Sequence, residues 1–251
     1  MANISIIGGL GTIGKMITGP LSQKHNVTII DIAADNRNGI KADASDPEEL
    51  CAAIPDNTNV IINLISIPTT DDLIPVQRFD ENANAFLKTT YVIYHCAVMK
   101  QIKKVIFASS NHVTDYYETG GDSTLGREIN VSDYPYSKGL YGILKLAGEN
   151  IGHAFSKQYG LDVINLRIGT ARLNEKQEIL VDVNRYKKTW LSEADVVQIF
   201  EKAIEKDIKY GTYYAVSDNV GKPWDISNLE CDLGFRSLIN ASDILRDAED
   251  D

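Results

Sequence analysis

Cysteine is scarce in this sequence of 251 residues, which carries only Cys51, Cys96 and Cys231. The three are scattered, odd in number and free of any Cys-x-x-Cys spacing. They are therefore expected to be reduced core or surface thiols, not a disulfide frame or a metal site. Histidine does not fill the gap, because His25, His95 and His153 stand alone without a partner at metal-ligand spacing. Positive charge is also in the minority, with 25 Lys and Arg against 35 Asp and Glu and a formal net charge of −10. That balance argues against a nucleic-acid or anionic-membrane partner, while leaving room for a local basic pocket. No apolar run reaches membrane-spanning length and no cationic, apolar leader precedes the first strand, so a soluble cytoplasmic protein is expected. Internal repeats, low-complexity stretches and long linkers are absent too.

What the chain does have is an alternation of β-branched runs and helical segments, the pattern of βαβ units around a parallel sheet. Strands are expected near 3–7, 27–31, 39–42, 59–65, 104–109, 162–167 and 211–216, and helices near 12–24, 46–54, 79–100, 137–158 and 192–206. Pro20 should kink or shorten the first helix, and Asp46-Pro47 is a helix start with an N-cap acid and a first-turn proline. The expected fold is α/β: a Rossmann-type doubly wound parallel sheet, one NAD(P)-binding domain over 1–251. A small C-terminal substrate lobe would come from segments at about 170–190 and 218–251.

The first strand runs straight into glycines at 8, 9, 11 and 14. Strand, tight glycine turn and helix start together make a pyrophosphate cradle. Gly8 allows the sharp turn, Gly11 lets the backbone approach phosphates, Gly14 lets the helix pack close, and the unpaired N–H groups of the helix start face the anion. Asp31 closes the second strand about 20 residues beyond that turn, where an acid accepts from the adenosine ribose and repels a 2′-phosphate. The expected cofactor is NAD. Asp43, at the end of the third strand, would reach the adenine amino group. Leu64 and Ile65 should skirt the cofactor, with Ser66 facing the substrate.

A second constellation lies downstream. The fifth strand ends in Ser109-Ser110-Asn111-His112, and the helix after Tyr134-Pro135 carries Tyr141 and Lys145, whose spacing puts both side chains on one helix face. A free tyrosine loses its proton only near pH ~10. A neighbouring ammonium and a cationic nicotinamide ring both favour the phenolate, so Tyr141 could take a substrate proton while Ser110 hydrogen-bonds the same oxygen.

Gly8-x-x-Gly11-x-x-Gly14, Asp31, Asp43, Ser110 and Tyr141-x-x-x-Lys145 together resemble an extended short-chain dehydrogenase/reductase of the NAD-dependent epimerase/dehydratase superfamily. Within it, Phe107-Ala108-Ser109-Ser110-Asn111-His112, Gly139-Leu140-Tyr141-Gly142, Arg167-Ile168-Gly169-Thr170, Arg185 before Thr189-Trp190, Trp224-Asp225 and Leu233-Gly234-Phe235 resemble the uronate dehydrogenases. The resemblance implies oxidation of the anomeric carbon of galacturonate or glucuronate to a lactone, with hydride passing to NAD. It implies Thr12, Ile13, Ala44 and Ile168 as further cofactor contacts. It implies Ser66, Ser110, Asn111, His112 and Thr170 on sugar hydroxyls, and Arg185 as the clamp on the sugar carboxylate. By the same analogy the helices at 79–100 and 137–158 would pair two subunits as a homodimer.

The chain also departs from those relatives. Thr170 stands where they carry serine, and Phe86 where they carry asparagine, with Asn82 and Asn84 out of register. The stretch from Ser110 to Tyr141 is about six residues longer than expected by that comparison, and its extra part, 116–127, borders the substrate side. The chain ends at Asp251 without the extension some relatives have. Two other functions use the same cofactor turn. A nucleotide-sugar epimerase or dehydratase needs a larger C-terminal lobe, whereas a non-catalytic dinucleotide-binding regulator tends to lose the tyrosine or lysine.

Overall fold

The computed structural model describes residues 1–35, 37–69, 73 and 76–249. Its strands are β1 (Asn3–Ile7), β2 (Asn26–Asp31), β3 (Ile40–Lys41), β4 (Val60–Asn63), β5 (Lys104–Ser110), β6 (Glu118–Thr119), β7 (Asp122–Ser123), β8 (Asp162–Ile168) and β9 (Tyr210–Ala215). Its α-helices are α1 (Thr12–Ser22), α2 (Pro47–Ala53), α3 (Val76–Asn82), α4 (Thr89–Met99), α5 (Leu140–Tyr159), α6 (Glu175–Ile179), α7 (Val183–Thr189), α8 (Glu193–Glu205) and α9 (Ala241–Glu249).

Seven strands form one sheet in the order β3-β2-β1-β4-β5-β8-β9, every pairing parallel. Parallel strands bury both faces, and their side chains alternate between them. Ile4, Ile6, Ile62, Ile106 and Ile164 pack with Met16, Ile17 and Leu21 of α1 and Ile199 and Phe200 of α8. Ile7, Ile61, Val105 and Val163 face the other way, onto Leu50 of α2, Ile93 and Tyr94 of α4 and Phe155 of α5. The strand order reverses between β1 and β4, and the carboxyl ends of the strands on either side of that reversal leave a crevice. The doubly wound sheet is as expected.

The departures have local causes. β4 stops two residues short because the Asn63 side chain accepts from the Ile65 N–H at 3.1 Å, turning the chain off the ladder. Pro20 falls in the last turn of α1, which ends at Ser22, so the helix is shortened as foreseen. Asp46 caps α2 by accepting from the Glu48 and Glu49 N–H groups at 2.9 and 3.0 Å. The helix expected over 79–100 runs without a gap over 76–99, with a π-helical stretch (Ala83–Lys88) between α3 and α4. Beyond β8, α6, α7 and α9 gather Ile179, Trp190, Ala241 and Ile244 into a small separate cluster.

The reading of the cysteines is corrected. Cys51 on α2 and Cys96 on α4 form a disulfide, with Cα atoms 5.4 Å apart, and only Cys231 is free. Forty-five residues separate the pair, and no short motif announces it. The fold makes it by laying α2 beside α4 on one face of the sheet.

A buried polar chain ties the carboxyl half of the sheet to α5. Ser109 donates to Glu149 at 2.5 Å, and Arg167 grips the same carboxylate through Nε and Nη2 at 2.9 and 2.8 Å. Arg167 Nη1 donates to the Tyr214 hydroxyl, which shares a hydrogen bond with Thr114 at 2.7 Å. Glu149 and Arg167 are each about 5% exposed.

Candidate active site

A cleft of about 1080 Å³ opens along the carboxyl edge of the sheet. Every residue singled out for cofactor or substrate contact in the sequence lines it: Gly8, Gly11, Thr12, Ile13, Gly14, Asp31, Asp43, Ala44, Leu64, Ile65, Ser66, Ser110, Asn111, His112, Tyr141, Lys145, Ile168, Thr170 and Arg185.

One half is built by the glycine turn. Gly8 has φ +79°, and a Cβ there would sit 3.0 Å from the backbone of Leu64 and Ile65. At Gly14 a Cβ would lie 2.0 Å from the Gly9 carbonyl, so only glycine lets α1 start this close to the strand. Gly11 caps α1 with extended backbone and no side-chain hydrogen bond, and the first turn carries no acid. The N–H groups at that end thus face the cleft with their partial positive charge uncovered, a cradle that fits a pyrophosphate. Asp31 stands at its rim. One carboxylate oxygen accepts from the Leu10 N–H at 3.1 Å and the other from the Ala33 N–H at 2.9 Å, so the acid braces the turn as well as facing the cleft. Asp43 likewise braces its loop, accepting from the Ser45 N–H at 2.8 Å.

These bonds sharpen an expectation. Asp31→Ala should weaken NAD roughly ten- to a hundredfold, the weight of a charged hydrogen-bond acceptor worth about 1.5–3 kcal/mol, and narrow the gap to NADP. Titration of both cofactors into both proteins measures it; tighter NADP than NAD binding by the wild type would overturn it.

The other half holds Tyr141 and Lys145, one helical turn apart on α5. The helix lies tightly against the 3₁₀ turn Asn111–Tyr117, since a Cβ on Gly142 would come within 2.1 Å of the His112 carbonyl. Lys145 is 2% exposed and donates to the carbonyls of Ala108 at 2.8 Å and Ile65 at 3.1 Å. Its ammonium lies 5.1 Å from the rings of both Phe86 and Phe107 and 5.7 Å from that of Tyr141. Burial alone pushes its pKa down to about 7.

Burial raises the Tyr141 phenol above its ordinary value, opposed by hydrogen bonds with Ser110 and Ser66 and by the charge of Arg172. The two serines are where the sequence placed them; Arg172 it did not single out. Phe86, noted as a departure, projects from the π-helical turn and sets its ring edge-on to Tyr141 at 5.1 Å. His112 is held through Nδ1 by Asp115 at 2.9 Å, and its ring stands 5.5 Å from that of Tyr141. Asp115 also accepts from the Lys138 N–H at 2.6 Å, fixing the approach to α5.

Arg185 reaches the cleft from α7, but not as an unengaged clamp. Glu118 accepts from its Nε at 3.1 Å and its Nη2 at 2.9 Å, so a carboxylate of the protein already holds one edge of the guanidinium. Glu118 belongs to the extra segment between Ser110 and Tyr141, where sequence reading marked an insertion without seeing its partner. Among the described residues there is no cluster of side chains able to hold a metal.

The arrangement is matched by a family profile described as NAD dependent epimerase/dehydratase, over residues 4–172. The chain belongs to that family. The family is NAD dependent, and its cofactor fits the glycine cradle and acidic rim described above. Among its relatives, the chain is 44% identical to uncharacterized protein YtbQ of Bacillus subtilis, over 99% of each chain. It is 30% identical to an L-arabinose 1-dehydrogenase (NAD(P)(+)) of Haloferax volcanii, over 83% of this chain and 84% of the other. The fold is also that of a mutant uronate dehydrogenase from Agrobacterium tumefaciens crystallised with NAD. That match has a TM-score of 0.80 and 20% identity, over 100% of this chain and 89% of the other.

Proposed function

We propose that this family member is an NAD-dependent dehydrogenase of a free sugar, oxidising the anomeric carbon of an aldose or its uronic acid to the lactone. The observation that carries the reading is Tyr141 lining the same cleft as Ser110 and Ser66, one turn from a buried Lys145. A sugar hydroxyl entering between the two serines and the phenol meets a hydrogen-bond donor and a base on the same oxygen. Tyr141 takes its proton, Ser110 holds the oxygen as charge develops, and Lys145 in its protonated form places a positive charge beside the ring. When bound, NAD supplies the acceptor for the hydride leaving C1. Phe86 packs against both, its ring 5.1 Å from that of Tyr141 and 5.1 Å from the Lys145 ammonium.

Three observations bear on which sugar is taken. Arg185 in the cleft supports a uronate, because a guanidinium holds a carboxylate through two parallel hydrogen bonds. Glu118 on that guanidinium, and the L-arabinose 1-dehydrogenase relative, support a neutral aldose.

With NAD and galactose, glucose, galacturonate or glucuronate, at least one sugar is expected to reduce the cofactor and leave a lactone, followed by absorbance of the reduced nucleotide and product analysis. No NAD reduction with any of the four, together with interconversion of UDP-galactose and UDP-glucose, would replace this reading by a nucleotide-sugar epimerase.

A further inference from the structure

The β6–β7 hairpin is docked against α7 by more than one bond. Glu118, with a side chain only 6% exposed, holds Arg185 in a fork of two hydrogen bonds. The same carboxylate accepts from the Gly121 N–H at 2.6 Å, and Lys138 donates to the Glu118 carbonyl at 2.7 Å. Gly121 has φ +89°, and a Cβ there would lie 3.1 Å from both Cα and O of Arg185, so the hairpin tip meets the helix backbone directly. Asp122 adds an ion pair to Lys188, one turn along α7, at 2.5 Å. Nothing in this docking leaves Glu118 free to swing away while the hairpin stays in place.

Resting on the sugar-dehydrogenase reading above, we infer that Glu118 determines substrate class, satisfying Arg185 from within the chain and turning the cleft toward neutral aldoses and against uronates. Arg185 and Glu118 together carry no net charge. A sugar carboxylate brought to the remaining edge of the guanidinium meets attraction from Arg185 and repulsion from a carboxylate fixed to the same group. The two effects oppose, and the desolvation of the incoming carboxylate is left uncompensated. A sugar hydroxyl carries no such penalty. It needs one hydrogen bond, and a guanidinium has five N–H donors, of which Glu118 takes two. Arg185 thus becomes a hydroxyl donor held in position by an internal counter-ion.

The test is kcat/KM at saturating NAD for galactose against galacturonate and glucose against glucuronate, with wild type and Glu118→Gln. Glutamine keeps an oxygen for the Gly121 N–H and removes the charge. The wild type is expected to favour each neutral sugar at least roughly tenfold, and Glu118→Gln to raise the acid-to-neutral ratio about ten- to a hundredfold, mainly through a lower KM for the acid. Equal or faster wild-type oxidation of the uronates overturns the role of Glu118, as does a ratio that the substitution leaves unmoved. The wild-type preference needs no variant, so a poorly folding Glu118→Gln still leaves a decisive result. If none of the four sugars reduces NAD, the sugar-dehydrogenase reading itself fails and this inference with it, an outcome distinct from a uronate preference.

Discussion

Tyr141→Phe is expected to lower turnover by about 10²–10⁴, the range for losing a general acid–base group, while leaving NAD affinity and thermal stability close to wild type. The substitution removes only the phenolic hydroxyl in the cleft shared with Ser110 and Ser66. The ring keeps its edge-on contacts with Phe86 and His112, at 5.1 and 5.5 Å, so the fold loses little. A pH profile should accompany it. Burial raises the phenol, and the base is its deprotonated form, so wild-type turnover should climb from neutral toward alkaline pH. In Tyr141→Phe that limb should vanish. Near-wild-type turnover by the phenylalanine variant would place the base elsewhere.

Glu149→Ala should be the most damaging change to stability, at about 3–5 kcal/mol, because it strands a buried positive charge. Burial works against the charge of Arg167, and the hydrogen bonds and charge of Glu149 outweigh that, holding the guanidinium above its ordinary value. Without Glu149 the remaining neighbour is the Tyr214 hydroxyl at 3.2 Å, and Ser109 loses its acceptor too. Glu149 lies on α5 two turns beyond Tyr141, so the variant should also lose activity by letting the helix shift. Denaturant unfolding of wild type and variant measures the first effect; a loss under about 1 kcal/mol would show the pair to be dispensable.

Much of the cleft could be read from residues because its parts are local. A glycine turn between strand and helix, an acid at the end of the next strand, and tyrosine and lysine four positions apart each state their geometry within a few residues. Central strands of isoleucine and valine are equally plain. The features that escaped join distant positions. Glu118 and Arg185 are 67 residues apart and meet only because a short hairpin lies on α7. Glu149, Arg167 and Ser109 sit on α5, β8 and β5, and their pairing follows from strand order, not spacing. The π-helical turn that aims Phe86 has no periodicity of its own to reveal it, and α6, α7 and α9 are too short to show one. Arg185, expected as a clamp on a sugar carboxylate, lines the cleft, and its bonds are set by a neighbour that no short motif names.

Once formed, the Cys51–Cys96 bond also acts on the chain when it unfolds and refolds oxidised. It closes a ring across 45 residues, which removes about 4 kcal/mol worth of freedom from the unfolded chain by loop-entropy reckoning. The ring contains β4, whose partners β1 and β5 both lie outside it. An oxidised chain therefore begins its search for the central sheet with α2 and α4 already neighbours, and with fewer ways for β4 to miss its place between them. Reduction would return that freedom to the unfolded ensemble and slow the search, with no need to disturb a single strand pairing in the finished molecule.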